Sequence, residues 1–117
     1  MCGLAGIVSL DGEASKVLDA VGRMTDAMRH RGPDDGAMRL LSDAAPVVAF
    51  GHRRLSIIDL SANGQQPMTD AASGTSIIFN GEIFNFRALR AELQAHGHVF
   101  QTLTDTEVIL RGYLAWG

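Results

Sequence analysis

Residues 1–10 read MCGLAGIVSL and hold the chain's one cysteine, at position 2. From Leu4 to Leu10 the stretch is largely apolar, with Ile7 and Val8 at its centre. An apolar run of that length, closed by the turn signal Asp11-Gly12, suits a buried strand better than a helix. The opening therefore predicts a strand that starts beside the only thiol. A lone cysteine there is most often an inert small hydrophobe. Its position changes the reading. Removal of Met1 would leave Cys2 with a free α-amine, whose unperturbed pKa is about 7.7–8.0. Near neutral pH a useful fraction of that amine can accept a proton. Thiol and amine on one residue then make a nucleophile and its base. Gly3 lets a substrate approach the backbone closely. With Met1 attached, Cys2 carries an amide nitrogen and lacks that base.

The bulk composition narrows the classes. A chain of 117 residues suits one small domain. With 46% apolar and 20% charged residues it reads as globular rather than disordered. A net charge of −3 gives no basic excess, which argues against nucleic acid as a partner. No apolar run approaches the ~20 residues of a membrane span. The first ten residues carry no Lys or Arg, so they do not read as a secretory signal, and a cytoplasmic protein is expected. The histidines (His30, His52, His96, His98) show no metal spacing, so no metal is expected.

Further along, Val17, Leu18, Val21, Met24 and Met28 recur at helical steps, predicting an amphipathic helix from Ala14 to about Arg29. RHRGPDDG ends it, because Gly32 and Pro33 cannot continue a helix. Residues 46–60 hold two apolar clusters, VVAF and LSIIDL, read as strands split by GHRR. SANGQQPMTDAASG reads as a polar loop. TSIIFNGEIF begins as a strand that Asn80-Gly81 interrupts. Phe86–Ala95 reads as a helix stopped by Gly97, HVFQT as a short strand. Thr104 with Glu107 makes a capping box opening a last helix. The order implies an α+β or layered α/β domain. The last helix needs a surface for Val108, Ile109, Tyr113 and Trp116, so the chain is expected to be one part of a larger domain. Pairing with another copy, as a homodimer, is one way to cover such faces.

A nucleophile also needs an oxyanion site and a grip on the substrate. Asn80 offers a side-chain amide donor, and Gly81 an unobstructed backbone N–H; an ordinary hairpin turn is the simpler account of the dipeptide. An arginine in GHRRLSIIDL can hold a carboxylate bidentately, or can be a surface residue at a strand edge. Asp105 in TDTE stands where a helix N-terminus would also favour a carboxylate for its dipole alone.

Together and in order, MCGLAGI, RHRGPDD, GHRRLSIIDL, GQQPM, FNGEIFN and TDTEVIL resemble the glutaminase domain of glutamine-dependent asparagine synthetases. That domain is a class II glutamine amidotransferase of the N-terminal-nucleophile hydrolase type, and the resemblance runs from Met1 to Gly117. It implies a four-layer αββα sandwich, of which residues 1–117 would be the earlier part, with the synthetase domain absent. It implies that Cys2 attacks the side-chain amide of glutamine, releases ammonia and leaves a γ-glutamyl thioester for water to hydrolyse. Asn80 and Gly81 match the oxyanion hole. Arg54 matches the arginine for the substrate α-carboxylate, with Arg53 a structural neighbour. Leu55 and Ile57 match positions whose backbone lines the glutamine site. Glu82 and Asp105 match acidic residues near the α-amine. RHRGPDD is expected to be structural. The glutaminase half would need no cofactor. ATP and Mg would serve only the C-terminal synthetase domain of the same protein, and no G-x-x-x-x-G-K-[ST] loop occurs here. The acceptor of the ammonia stays open: aspartate or another carboxylate. Two other readings remain, a non-catalytic binding or regulatory module of the same fold and an amide hydrolase with a different substrate. The presence of Cys2, Arg54, Asn80, Gly81 and Asp105 disfavours the first. An Arg54 clamp paired with an acidic one suits an α-amino acid and disfavours the second.

Overall fold

The computed structural model describes residues 1–56 and 62–117. β1 (Gly3–Ser9) is followed by α1 (Ala14–Ala27), β2 (Asp35–Ser42) and β3 (Val47–Arg54). A single 3-10 turn (Ala62–Gly64), β4 (Met68–Thr69) and β5 (Ser76–Ile77) come next, then α2 (Phe86–Ala95) and α3 (Asp105–Trp116). Among the described residues this is an α+β arrangement with two antiparallel sheets, one in the order β1-β3-β2 and a two-stranded one, β4-β5.

α1 forms where its apolar periodicity requires it. Val17, Val21 and Thr25 recur every four residues and are buried. They lie on the sheet face that carries Ala5, Val47 and Ala49, and this cluster is the core of the first layer. Thr25 turns its hydroxyl inward to the Val21 carbonyl at 2.7 Å, so it is buried with a satisfied polar group. Successive strand residues point to opposite faces. Val47, Ala49 and Gly51 therefore bury against α1, while His52 and Arg54 are buried from the other side. The register pairs Gly3 with Arg53 and Leu4 with His52. The start of β1 is thereby placed beside the end of β3.

The second sheet approaches the face bearing His52. Arg39 on β2 donates to the Thr69 hydroxyl of β4 at 2.9 Å. A tight turn joins β4 to β5, with the Gly74 N–H donating to the Asp70 carbonyl and Gly74 at φ +72°, where a side chain would be strained. Gly97, at φ +89°, follows the last turn of α2 in the left-handed conformation that a glycine stop requires. Thr104 caps α3 by accepting from the Glu107 N–H at 3.2 Å. The Glu107 carboxylate does not return to Thr104, as a full capping box would have it. It takes the amides of Gln101 and Thr102 and the Thr102 hydroxyl instead, all within 3.1 Å, and so fastens the preceding loop.

Three expectations change. GHRR does not split two strands: β3 runs through it to Arg54, because both neighbours pair with it along its length. Of LSIIDL, Leu55 and Ser56 lie beyond β3, and residues 57–60 lie outside the described residues. β2 fills a stretch that the sequence left unassigned, and HVFQT is irregular rather than a strand. Much apolar surface is open: Val8 is 64% and Tyr113 61% exposed, and Trp116 is likewise exposed, while Val108 is buried.

Candidate active site

Cys2 sits at the mouth of β1, half-buried, and its thiol is free. The Leu55 N–H donates to Cys2 Sγ at 3.3 Å, and the thiol faces the Leu55 carbonyl at 3.7 Å. Both contacts follow from the register, since Leu55 continues β3 past the residue that pairs with Gly3. Cys2, Arg54, Leu55, Asn80, Gly81, Glu82 and Asp105 all line one cavity of about 450 Å³. That volume lies within the usual range for small-molecule sites. Met1 also lines it. Ile57 lies outside the described residues.

Arg54 ends β3 and is only 7% exposed. Its guanidinium lies directly over Gly64, where a methyl group would collide with Nη2. Glycine at that position makes the close approach feasible. Arg53, one residue earlier, points to the other face. It donates to the Thr25 carbonyl at 3.3 Å and to Asp26 Oδ1 at 3.1 Å, fastening α1 to the sheet. The RHRGPDD segment braces Ser56 and Gln65, which lie beyond Arg54 in the chain. Asp34 accepts from the Ser56 N–H at 2.8 Å and Asp35 from Gln65 Nε2 at 2.9 Å.

Asn80 and Gly81 follow β5 on an irregular segment, not in a hairpin between paired strands. The Phe79 ring covers Gly81, and a Cβ there would stand 2.7 Å from Phe79 Cζ. Two buried side chains hold the Phe79 backbone. Gln66 Oε1 accepts its N–H at 2.6 Å, and His52 Nε2 lies 3.3 Å from its carbonyl oxygen. A carbonyl only accepts, so the His52 Nε2 carries the proton. Burial pushes the His52 imidazole below its usual range. The Phe79 carbonyl opposes that, and the Arg54 charge adds to it.

Asp105 opens α3 and is buried. Its Oδ2 accepts from the Ile83 N–H at 2.9 Å, which draws the 80–83 segment across the helix N-terminus. Glu82 stands at the exposed rim. Farther off, the Ser73 amide and hydroxyl, with Arg111 beside them, hold Asp70 below the usual carboxylate range.

Five lining residues or buttresses carried no signal of a role in the site: His52, Gly64, Gln66, Thr104 and Thr106. Gln66 was legible only as part of GQQPM. A polar residue in a loop has no periodicity, and its partners are 13 and 40 positions away. Thr104 announces only a helix cap in the sequence. Chemically, the cavity combines a thiol, a buried guanidinium, two carboxylates and an amide-bearing segment. That set matches a zwitterion whose far end meets a nucleophile. Among the described residues, no group of three His, Cys, Asp or Glu could hold a metal ion. No described helix is long and apolar enough to cross a membrane.

The chain is similar along nearly its whole length to glutamine-hydrolysing asparagine synthetases. Asparagine synthetase [glutamine-hydrolyzing] 3 of Bacillus subtilis is 40% identical, over 99% of this chain and 18% of that protein. Asparagine synthetases 2 and 1 of the same organism are 43% and 41% identical, each over 97% of this chain and over 14% and 17% of theirs. The chain thus spans less than a fifth of the length of these relatives. The glutamine amidotransferase domain family matches residues 1 to 117, and the chain belongs to that family.

Proposed function

We propose that this domain hydrolyses glutamine to glutamate and ammonia through a thioester on Cys2, once Met1 has been removed. The observation that carries the reading is the cavity shared by Cys2, Arg54, Asn80, Gly81 and Asp105. Arg54 takes the α-carboxylate of glutamine bidentately. Asp105, through the oxygen not committed to Ile83, and Glu82 take the α-ammonium. The two clamps set the γ-amide against the sulfur. The Cys2 α-amine removes the thiol proton, and sulfur adds to the amide carbon. Charge moves to the amide oxygen, which Asn80 Nδ2 and the Gly81 N–H receive. The proton passes from the ammonium to the departing nitrogen, the C–N bond breaks, and ammonia leaves. Water then adds to the thioester, the C–S bond breaks, and glutamate and the thiol are restored.

The chain completed into a four-layer sandwich fits this chemistry, and the open apolar faces of β1 and α3 suit further elements laid on them. In the longer protein, the ammonia would serve ATP-dependent synthesis of asparagine or a related amide, in keeping with the names of the relatives. ATP and Mg would serve that synthesis in the synthetase domain of the longer protein, and the glutaminase chemistry draws only on residues of this cavity. A cytoplasmic setting agrees with a free, unpaired thiol. The test is glutamine hydrolysis by the full-length protein beside its Cys2→Ala variant. Loss of hydrolysis with retention of synthesis from free ammonia is expected. Loss of both activities would make Cys2 a structural residue.

A further inference from the structure

We infer that Gln66 is a positioning residue for the oxyanion hole, acting through the backbone of Phe79 and anchored to α3 by Thr106. The inference rests on the proposed roles of Asn80 and Gly81. Among the described residues, no hydrogen bond holds the Asn80 side chain, so its placement depends on the backbone that carries it. That backbone is unusually well held one residue earlier. Gln66 Oε1 accepts the Phe79 N–H at 2.6 Å, and His52 Nε2 donates to the Phe79 carbonyl at 3.3 Å. The peptide units on both sides of the Phe79 Cα are therefore fixed. The Phe79 ring in turn rests on Gly81.

The other end of the Gln66 amide is also committed. Its Nε2 donates to the Thr106 hydroxyl at 3.1 Å, next to Asp105 in the first turn of α3. Gln66 is 7% exposed, so neither end has water to fall back on. One side chain thus ties the segment presenting the oxyanion donors to the helix presenting the amine clamp. An oxyanion exists only near the transition state. Loosening its donors therefore lowers kcat and leaves substrate capture by Arg54 and Asp105 intact. A Gln66 that served the fold alone would change melting temperature without changing kcat per folded molecule.

Steady-state glutamine hydrolysis by the full-length protein tests this, with kcat expressed per folded molecule from thermal melts. Gln66→Met keeps the length and removes both hydrogen bonds. We expect kcat to fall roughly 10–100-fold with KM within about threefold, the scale of a ~1 Å misplacement. Thr106→Val frees only the Nε2 end and is expected to lower kcat roughly 3–10-fold, by the same reasoning. Thr106→Ser restores the hydroxyl and should restore kcat. Unchanged kcat per folded molecule in Gln66→Met, or KM rising as much as kcat falls, overturns the inference. If Gln66→Met does not fold, the Thr106→Val and Thr106→Ser pair decides by the same split. Cys2→Ala separates the two levels. Activity that survives it defeats the proposed function itself, whereas Cys2-dependent activity indifferent to Gln66 and Thr106 defeats only the positioning role.

Discussion

The Leu55 N–H donates to Cys2 Sγ at 3.3 Å, immediately after Arg54 on the same chain segment. Thiol and guanidinium are therefore spaced by sheet register: Gly3 pairs with Arg53, so Cys2 and Arg54 flank the same end of the ladder. A slip of one residue would turn Arg54 to the α1 face and Arg53 into the cavity.

Protein that hydrolyses glutamine should begin at Cys2. Met1 lines the cavity and leaves Cys2 with an amide nitrogen that cannot act as base. Intact mass of an active preparation checks this. Full activity from molecules that retain Met1 would remove the α-amine from the mechanism.

Arg54→Ala and Arg53→Ala should fail differently. Arg54 lies buried in the cavity, and loss of one partner from a buried charge pair costs about 2–5 kcal/mol. A drop in glutaminase kcat/KM of roughly 30-fold or more follows from that range. Arg53 holds Thr25 and an exposed Asp26, so its loss should cost about 1 kcal/mol of stability with kcat/KM nearly unchanged. Equal catalytic losses would reverse the two roles.

Gly64→Ala should raise KM for glutamine more than it lowers kcat. The added methyl meets Arg54 Nη2 and displaces the guanidinium from its seat. Because the clamp acts on bound substrate and transition state alike, its displacement appears in KM. An unchanged KM with a folded variant would show that Arg54 does not hold the substrate.

His52 should make the domain less stable as pH falls below about 6.5. Burial lowers its folded-state pKa from the usual 6.5, so the unfolded chain binds more protons in that window. The stabilising difference is fully present above 6.5 and is lost as pH falls through the lower folded value. His52→Gln still donates to the Phe79 carbonyl but does not titrate. Its melting temperature should vary less than the parent's between pH 7 and 5. Asp70, also held low, acts only in more acid solution, below its usual 3.8. Parallel curves for parent and variant would mean that His52 is not the titrating group.

β1, α1, α2 and α3 were legible because their signals are local. An apolar run, a four-residue stripe, a glycine stop and the Thr104 cap each act within a few residues. Cys2, Arg54, Asn80, Gly81 and Asp105 were legible as candidates, as residue types in an order that resembles one family, and the fold gathers them around one cavity. β2 was not, since Gly36, Met38 and Arg39 are all exposed and blur its alternation, and its strand character comes from pairing with β3. What only the tertiary structure decided is how these residues meet. Arg54 rather than Arg53 enters the cavity because strand parity and the α1 face fix which way each points. Gln66 matters because its two partners, Phe79 and Thr106, arrive from distant parts of the chain. Local preferences are written within a turn or a strand. A buried amide's partners are chosen by the register and packing of whole elements, which no single stretch of sequence contains.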